Sequence, residues 1–158
     1  MDGKLARAQF YTSYWDGFIK FAKPSDPDLF KHDQILYKPY LHFPCEVPYV
    51  HFALNAPKTK PIRCELVLDN THIRKLLLEI LECREKLTTD GMQIDLEDVS
   101  CNYDRKARRF CANSEYNSSD NKTRYEQYEW MLDKLKRFQG YFPGLMTDIY
   151  KILGLKTK

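Results

Sequence analysis

The chain has no apolar run near the roughly 20 residues that a bilayer-spanning helix needs. Its opening residues, Met1-Asp2-Gly3-Lys4-Leu5, lack the apolar stretch of a signal peptide. Together these absences point to a cytoplasmic protein with no membrane partner. Only six glycines occur in 158 residues, which leaves little room for long flexible linkers. No glycine-rich phosphate loop and no Gly-x-Ser-x-Gly elbow is present. No two cysteines have the Cys-x-x-Cys spacing of a zinc knuckle or a redox motif. The five cysteines, Cys45, Cys64, Cys83, Cys101 and Cys111, are odd in number and scattered, unlike a disulfide framework. Buried thiols acting as small hydrophobes are the expectation. His42, Cys45 and His51 could ligate a metal, but their spacing fits no common site and a fourth ligand is lacking. No resident metal or cofactor is expected.

What is present is a globular composition. Hydrophobic residues make up 43% and charged residues 30%, and the 14% of aromatics include eleven Tyr and nine Phe. Such a chain can build one aromatic core whose tyrosines also supply polar tips. The net charge of +3 permits contact with nucleic acid without requiring it.

Side-chain periodicity gives the elements. Tyr11, Trp15, Phe18 and Ala22 recur at helical spacing and predict a helix over Leu5–Ala22, broken by Lys23-Pro24. Leu29–His32 reads as a short turn. Ile35–His42 is an aromatic-rich strand bent or placed at an edge by Pro39. Val47–Leu54 alternates cleanly. Ile62–Asp69 also alternates, with Ile62, Cys64, Leu66 and Leu68 on one face and Arg63, Glu65, Val67 and Asp69 on the other. The connection between these two strands is too short for a crossover helix, so they should pair antiparallel. Asn70 or Asp69 can cap the following helix, which runs to about Thr88 and ends before Gly91. Gln93–Ser100 and Lys106–Asn113 read as a hairpin turning at Asn102-Tyr103-Asp104-Arg105. A helix over Thr123–Gln139 and a second over Leu145–Leu153 are separated by Phe142-Pro143-Gly144. The order α-β-β-β-α-β-β-α-α implies one α+β domain over residues 1–158, with a mixed or antiparallel sheet of about five strands flanked by helices.

Several segments recur in the order of a known family. They are Gln9-Phe10-Tyr11-Thr12-Ser13-Tyr14-Trp15-Asp16-Gly17-Phe18, then Arg63-Cys64-Glu65-Leu66-Val67-Leu68, then Arg105-Lys106-Ala107-Arg108-Arg109-Phe110, and last Tyr128-Glu129-Trp130-Met131-Leu132. In content and order this series resembles the prokaryotic domain of unknown function 4268 family, over nearly the whole chain. One departure is Phe43-Pro44-Cys45-Glu46-Val47-Pro48-Tyr49, where the family pattern carries a Gly-Arg-containing segment. The resemblance implies a bacterial origin and a DNA-related system, and no established activity.

The chemical readings follow from these placements. The α-β-β-β-α-β order matches a restriction-endonuclease-like core, which needs an acid on its second strand and Glu-x-Lys on its third to hold Mg²⁺ and orient water. Glu65 and Asp69 are the candidate acids, yet Val67 stands at the lysine position and Val47–Leu54 carries no acid. His51, Arg63, Glu65 and Arg109 can form a polar cluster or anion patch, weighed against an ordinary cross-strand ion-pair ladder on a solvated face. Arg105, Lys106, Arg108 and Arg109 form the best nucleic-acid candidate, weighed against a solvated turn neutralised by Asp95-Leu96-Glu97-Asp98. The expectation is a non-catalytic accessory or interaction module contacting nucleic acid or a protein partner. A degenerate Mg²⁺-dependent nuclease is the alternative, and a structural homodimer is a further option.

Overall fold

The computed structural model describes residues 3–30, 34–87, 102–104 and 108–154, with 80–87 and 102–104 as backbone alone. Helix α1 spans Gly3–Ala22, and a 3-10 turn follows at Pro27–Phe30. Strands β1 (Tyr40–Pro44), β2 (Val50–Asn55) and β3 (Arg63–Leu68) form a meander. Helix α2 (Thr71–Leu87) leads to the short strand β4 (Asn102–Asp104), then β5 (Arg109–Asn113) and the long helix α3 (Arg124–Ile152). The fold is α+β. The strands lie in the order β1-β2-β3-β5-β4 and every pairing is antiparallel. None of the described helices is long and apolar enough to cross a membrane.

The alternation read from the sequence decides what each face of the sheet buries. Leu41 and Phe43, Phe52 and Leu54, Cys64 and Leu66, Phe110 and Ala112 meet across neighbouring strands on one face. All are buried, and a slip of one residue would carry each of them to the other face. α3 packs against β2 and β3 and touches α1. The aromatic residues of α1 and α3 fill the space between, with Tyr11, Tyr14, Trp15 and Phe18 from one helix and Tyr128, Phe138 and Phe142 from the other.

Their polar tips tie the helices to loop backbone. Tyr11 donates to the Ala56 carbonyl at 2.9 Å, Trp15 to Lys38 at 2.8 Å and Tyr150 to Pro48 at 2.7 Å. Tyr14 donates to Gln127 Oε1 at 2.9 Å, and Tyr128 donates to the Tyr14 carbonyl at 2.6 Å. Each bond answers the cost of burying a hydroxyl or indole N–H. Burial pushes the Tyr14 hydroxyl pKa far up, and the nearby Tyr128 adds to this while Arg124 opposes it.

Three expectations change. The two last helices are one, because Leu135, Phe138, Phe142, Met146 and Ile149 keep helical phase straight through Pro143. A helix-interior proline costs about 3 kcal/mol. Burying three large side chains beyond it, Met146, Ile149 and Tyr150, is worth about 1.5–3 kcal/mol each and wins. The first strand starts at Tyr40, past Pro39, whose ring nitrogen has no N–H for the ladder. Asn102-Tyr103-Asp104 is not the hairpin turn but the strand that pairs with β5, so the turn falls later, next to Arg108 with its φ of 57°. Gly91 and the expected strand Gln93–Ser100 lie outside the described residues. The predicted β2–β3 antiparallel pairing is present, and Asn70 Oδ1 accepts from the Ile73 N–H at 3.1 Å as the cap of α2.

Gly17 marks the closest approach of α1 and α3. A Cβ built there would lie 2.6 Å from the Tyr128 hydroxyl oxygen. Gly17→Ala gains up to about 1 kcal/mol of helix propensity but forces that hydroxyl off the Tyr14 carbonyl. The net effect should be a destabilisation of about 1–3 kcal/mol, read as a lower urea midpoint with unchanged slope.

Candidate functional site: the charged sheet face

The face of the sheet opposite the aromatic core carries the charged side chains, because in-register alternation sends every second residue there. His42 lies on β1, His51 on β2, Arg63, Glu65 and Val67 on β3, and Arg109 and Cys111 on β5. Asp69 follows β3 directly.

Glu65 is the centre of this face. It has no solvent exposure, although it is ionisable and sits in the middle strand. Isolated burial of a carboxylate would cost many kcal/mol, so it needs counter-charge. Arg109 Nη1 donates to Oε1 at 2.8 Å, and Arg63 Nε stands 2.7 Å from Oε2. The Arg63 contact is an ion pair without hydrogen-bond alignment. Arg109 arrives from two residues along β5 from Cys111, which pairs with Glu65. That diagonal reach is within range for a long side chain. The face is therefore not the solvated ladder that seemed more natural from the sequence, because its carboxylate is sealed.

The second group is His51 with Asp69. His51 Nδ1 lies 2.8 Å from Asp69 Oδ2, and its Nε2 is buried with no hydrogen-bond partner. His42 stacks on His51 with ring centroids 5.1 Å apart and 21° between planes. Desolvation pushes the His42 imidazole pKa down, and the His51 ring and Arg109 push it further; Glu65 and Asp69 pull the other way. His42 entered the sequence reading only as a metal ligand. Its membership of this face could have been read from alternation, since it pairs with Ala53, two residues from His51.

The expected residues divide as follows. His51, Arg63, Glu65 and Arg109 share one face, with Arg63, Glu65 and Arg109 in direct contact. Asp69 is exposed at the strand end and is turned to His51, away from any pairing with Glu65 as a second metal ligand. Val67, at the position a nuclease lysine would hold, is buried opposite His51. Of the basic hairpin, Arg108 is exposed, Arg109 is committed to Glu65, and Arg105 and Lys106 lie outside the described residues. Among the described residues no three His, Cys, Asp or Glu side chains gather closely enough to hold a metal ion. Cys64 and Cys111 are buried strand residues, as expected of small hydrophobes.

Fold and site thus define a small α+β domain with an aromatic core on one sheet face and an arginine-clamped carboxylate on the other. The family described as Domain of unknown function (DUF4268) matches residues 10–144, and the chain belongs to that family. Neither the curated proteins nor the solved structures contain a significant match.

The lowered His42 pKa has a consequence for stability. The unfolded chain takes up a proton near the ordinary value of 6.5, while the folded chain resists it. Stability from this residue is therefore full above that pH and falls as the pH drops through and below it. The melting temperature should fall between about pH 7.5 and about pH 5.5, and His42→Gln should flatten that slope.

Proposed function

We propose that this domain is a non-catalytic interaction module of a DNA-related system, and that its charged sheet face is built for architecture and recognition, not for bond cleavage. The observation that carries this reading is the double engagement of Glu65. A metal-dependent nuclease needs its carboxylate lone pairs free for Mg²⁺. Here both oxygens of Glu65 face guanidinium groups, one by a hydrogen bond and one by ion-pair contact. A dication placed beside them would meet two fixed positive charges first. The neutral Val67 offers nothing to orient a water. The restriction-endonuclease-like alternative thus lacks its lysine, its second-strand acid and an open carboxylate.

Arg63 and Arg109 remain partly exposed, at 23% and 35% of their side-chain surface, around the sealed carboxylate. Exposed guanidinium edges of this kind suit contact with an anionic partner.

Glu65→Gln separates the two readings. As a structural pivot, its loss should destabilise the fold by about 3 kcal/mol, since it leaves partly buried guanidinium groups without a counter-charge. Denaturant melts measure this. In the same preparation, cleavage of single- or double-stranded DNA with Mg²⁺ or Mn²⁺ should be absent for wild type and variant alike. Metal-dependent cleavage by the wild type that disappears in the variant would sink the non-catalytic reading.

A further inference from the structure

A second charged surface is assembled from three segments far apart in sequence. They are the first half of α1, the connection between β2 and β3, and the stretch leading into α3. Tyr11 and Ser118 hydroxyls both donate to the Ala56 carbonyl, at 2.9 and 3.0 Å. Gln127 Nε2 donates to the Asn117 and Asp120 carbonyls, each at 2.8 Å. These bonds hold the segments together and gather Arg7, Lys58 and Arg124 about the rings of Phe10, Tyr11 and Tyr14, while Lys60 and Lys122 belong to the same segments.

The cations lie over aromatic rings. Lys58 Nζ is 4.3 Å from the Phe10 ring centroid. The Arg124 guanidinium is 5.9 Å from that same ring and 4.7 Å from the ring of Tyr14. Arg7 stands 5.9 Å from the Tyr11 ring. Phe10 and Tyr14 are themselves stacked, with centroids 5.8 Å apart. Among the described residues, none of these five cations has a carboxylate within ion-pair distance. Asp120, two residues before Lys122, spends its oxygens on the Lys122 N–H and the Thr123 hydroxyl.

We propose that this surface binds single-stranded nucleic acid. Lysine and arginine track the phosphates, and the half-buried Phe10 ring stacks on a base once Lys58 swings to a phosphate. The charges come from three segments and spread along a surface without converging on a pocket, which fits a chain of phosphates better than one small anion. Among the described residues, the exposed large apolar side chains in these segments are Leu5 and Tyr125, the latter with a polar tip, whereas insertion into a membrane surface calls for a broad apolar face. Rings beneath cations favour a single strand, whose bases are free to stack, over a duplex. The assignment rests on the interaction-module reading and supplies its ligand class.

Fluorescence anisotropy with a labelled oligothymidylate of about 20 nucleotides tests it. The intact chain should bind, with Kd rising steeply between about 50 and about 200 mM salt. The Lys58→Glu/Lys60→Glu/Lys122→Glu variant should bind at least about tenfold more weakly, with a shallower salt slope. Phe10→Leu should lose about fivefold with the slope retained. Lys58→Ala/Lys60→Ala carries the same comparison if charge reversal impairs folding. Glu65→Gln, assayed below its melting point, should bind like wild type, so a failure here is distinct from a failure of the non-catalytic reading. No binding by the wild type at low salt, undiminished binding by the lysine variants, or equal affinity for duplex or for anionic vesicles would overturn the proposal.

Discussion

A carboxylate without solvent in the middle of a sheet constrains everything around it. Burial of that carboxylate calls for positive charge held against it, and two arginines on two strands supply it. Arg63 lies on the same strand and comes with it. Arg109 does not, and it reaches Glu65 only while β5 keeps its present register with β3. A slip of one residue would send Arg109 to the aromatic face and Phe110 to the charged one. Either error alone would cost more than a typical domain can spare. The clamp therefore acts on pairing specificity as much as on charge, and it joins the meander to the strand that returns after α2.

The aromatic side of the sheet solves a different problem with the same economy. Its tyrosines and tryptophan are large enough to fill the space under α1 and α3, but each brings a polar tip. Those tips reach carbonyls in the connections and not in the strands. Tyr11 holds the β2–β3 connection, Trp15 the segment before β1, and Tyr150 the β1–β2 turn. These loops, whose Leu36, Cys45 and Val47 also pack against the core, are thus pinned from inside it. These bonds keep the surface segments in fixed relation, including the β2–β3 connection that contributes to the second cationic surface.

Much of this was legible beforehand, and the reasons are local. The alternation through Ile62–Asp69 placed Arg63 and Glu65 on one face, and the short connection to Val47–Leu54 made the pairing antiparallel, which the register shows. The cap at Asn70 follows from a side-chain oxygen standing before an apolar helix. What was not legible depends on contacts between distant residues. Pro143 and Gly144 carry breaker signals, and only the packing of Phe142, Met146 and Ile149 against the core keeps α3 continuous. The polar alternation of Arg63 and Glu65 suggested a solvated face, since nothing in the sequence shows that Glu65 is sealed. Likewise Arg109 looked like part of a basic hairpin because its partner stands 44 residues away.

The edge of the sheet formed by β1 is short and guarded. Pro39 stands just before it and Pro44 ends it, and neither proline offers an N–H. The Gln34 amide occupies the His42 carbonyl at 3.0 Å in between. Another chain seeking to add a strand along this edge would find few open groups to pair with. This edge is thereby guarded against pairing with the same edge of a second copy, and a partner on this side would be met mainly by side chains.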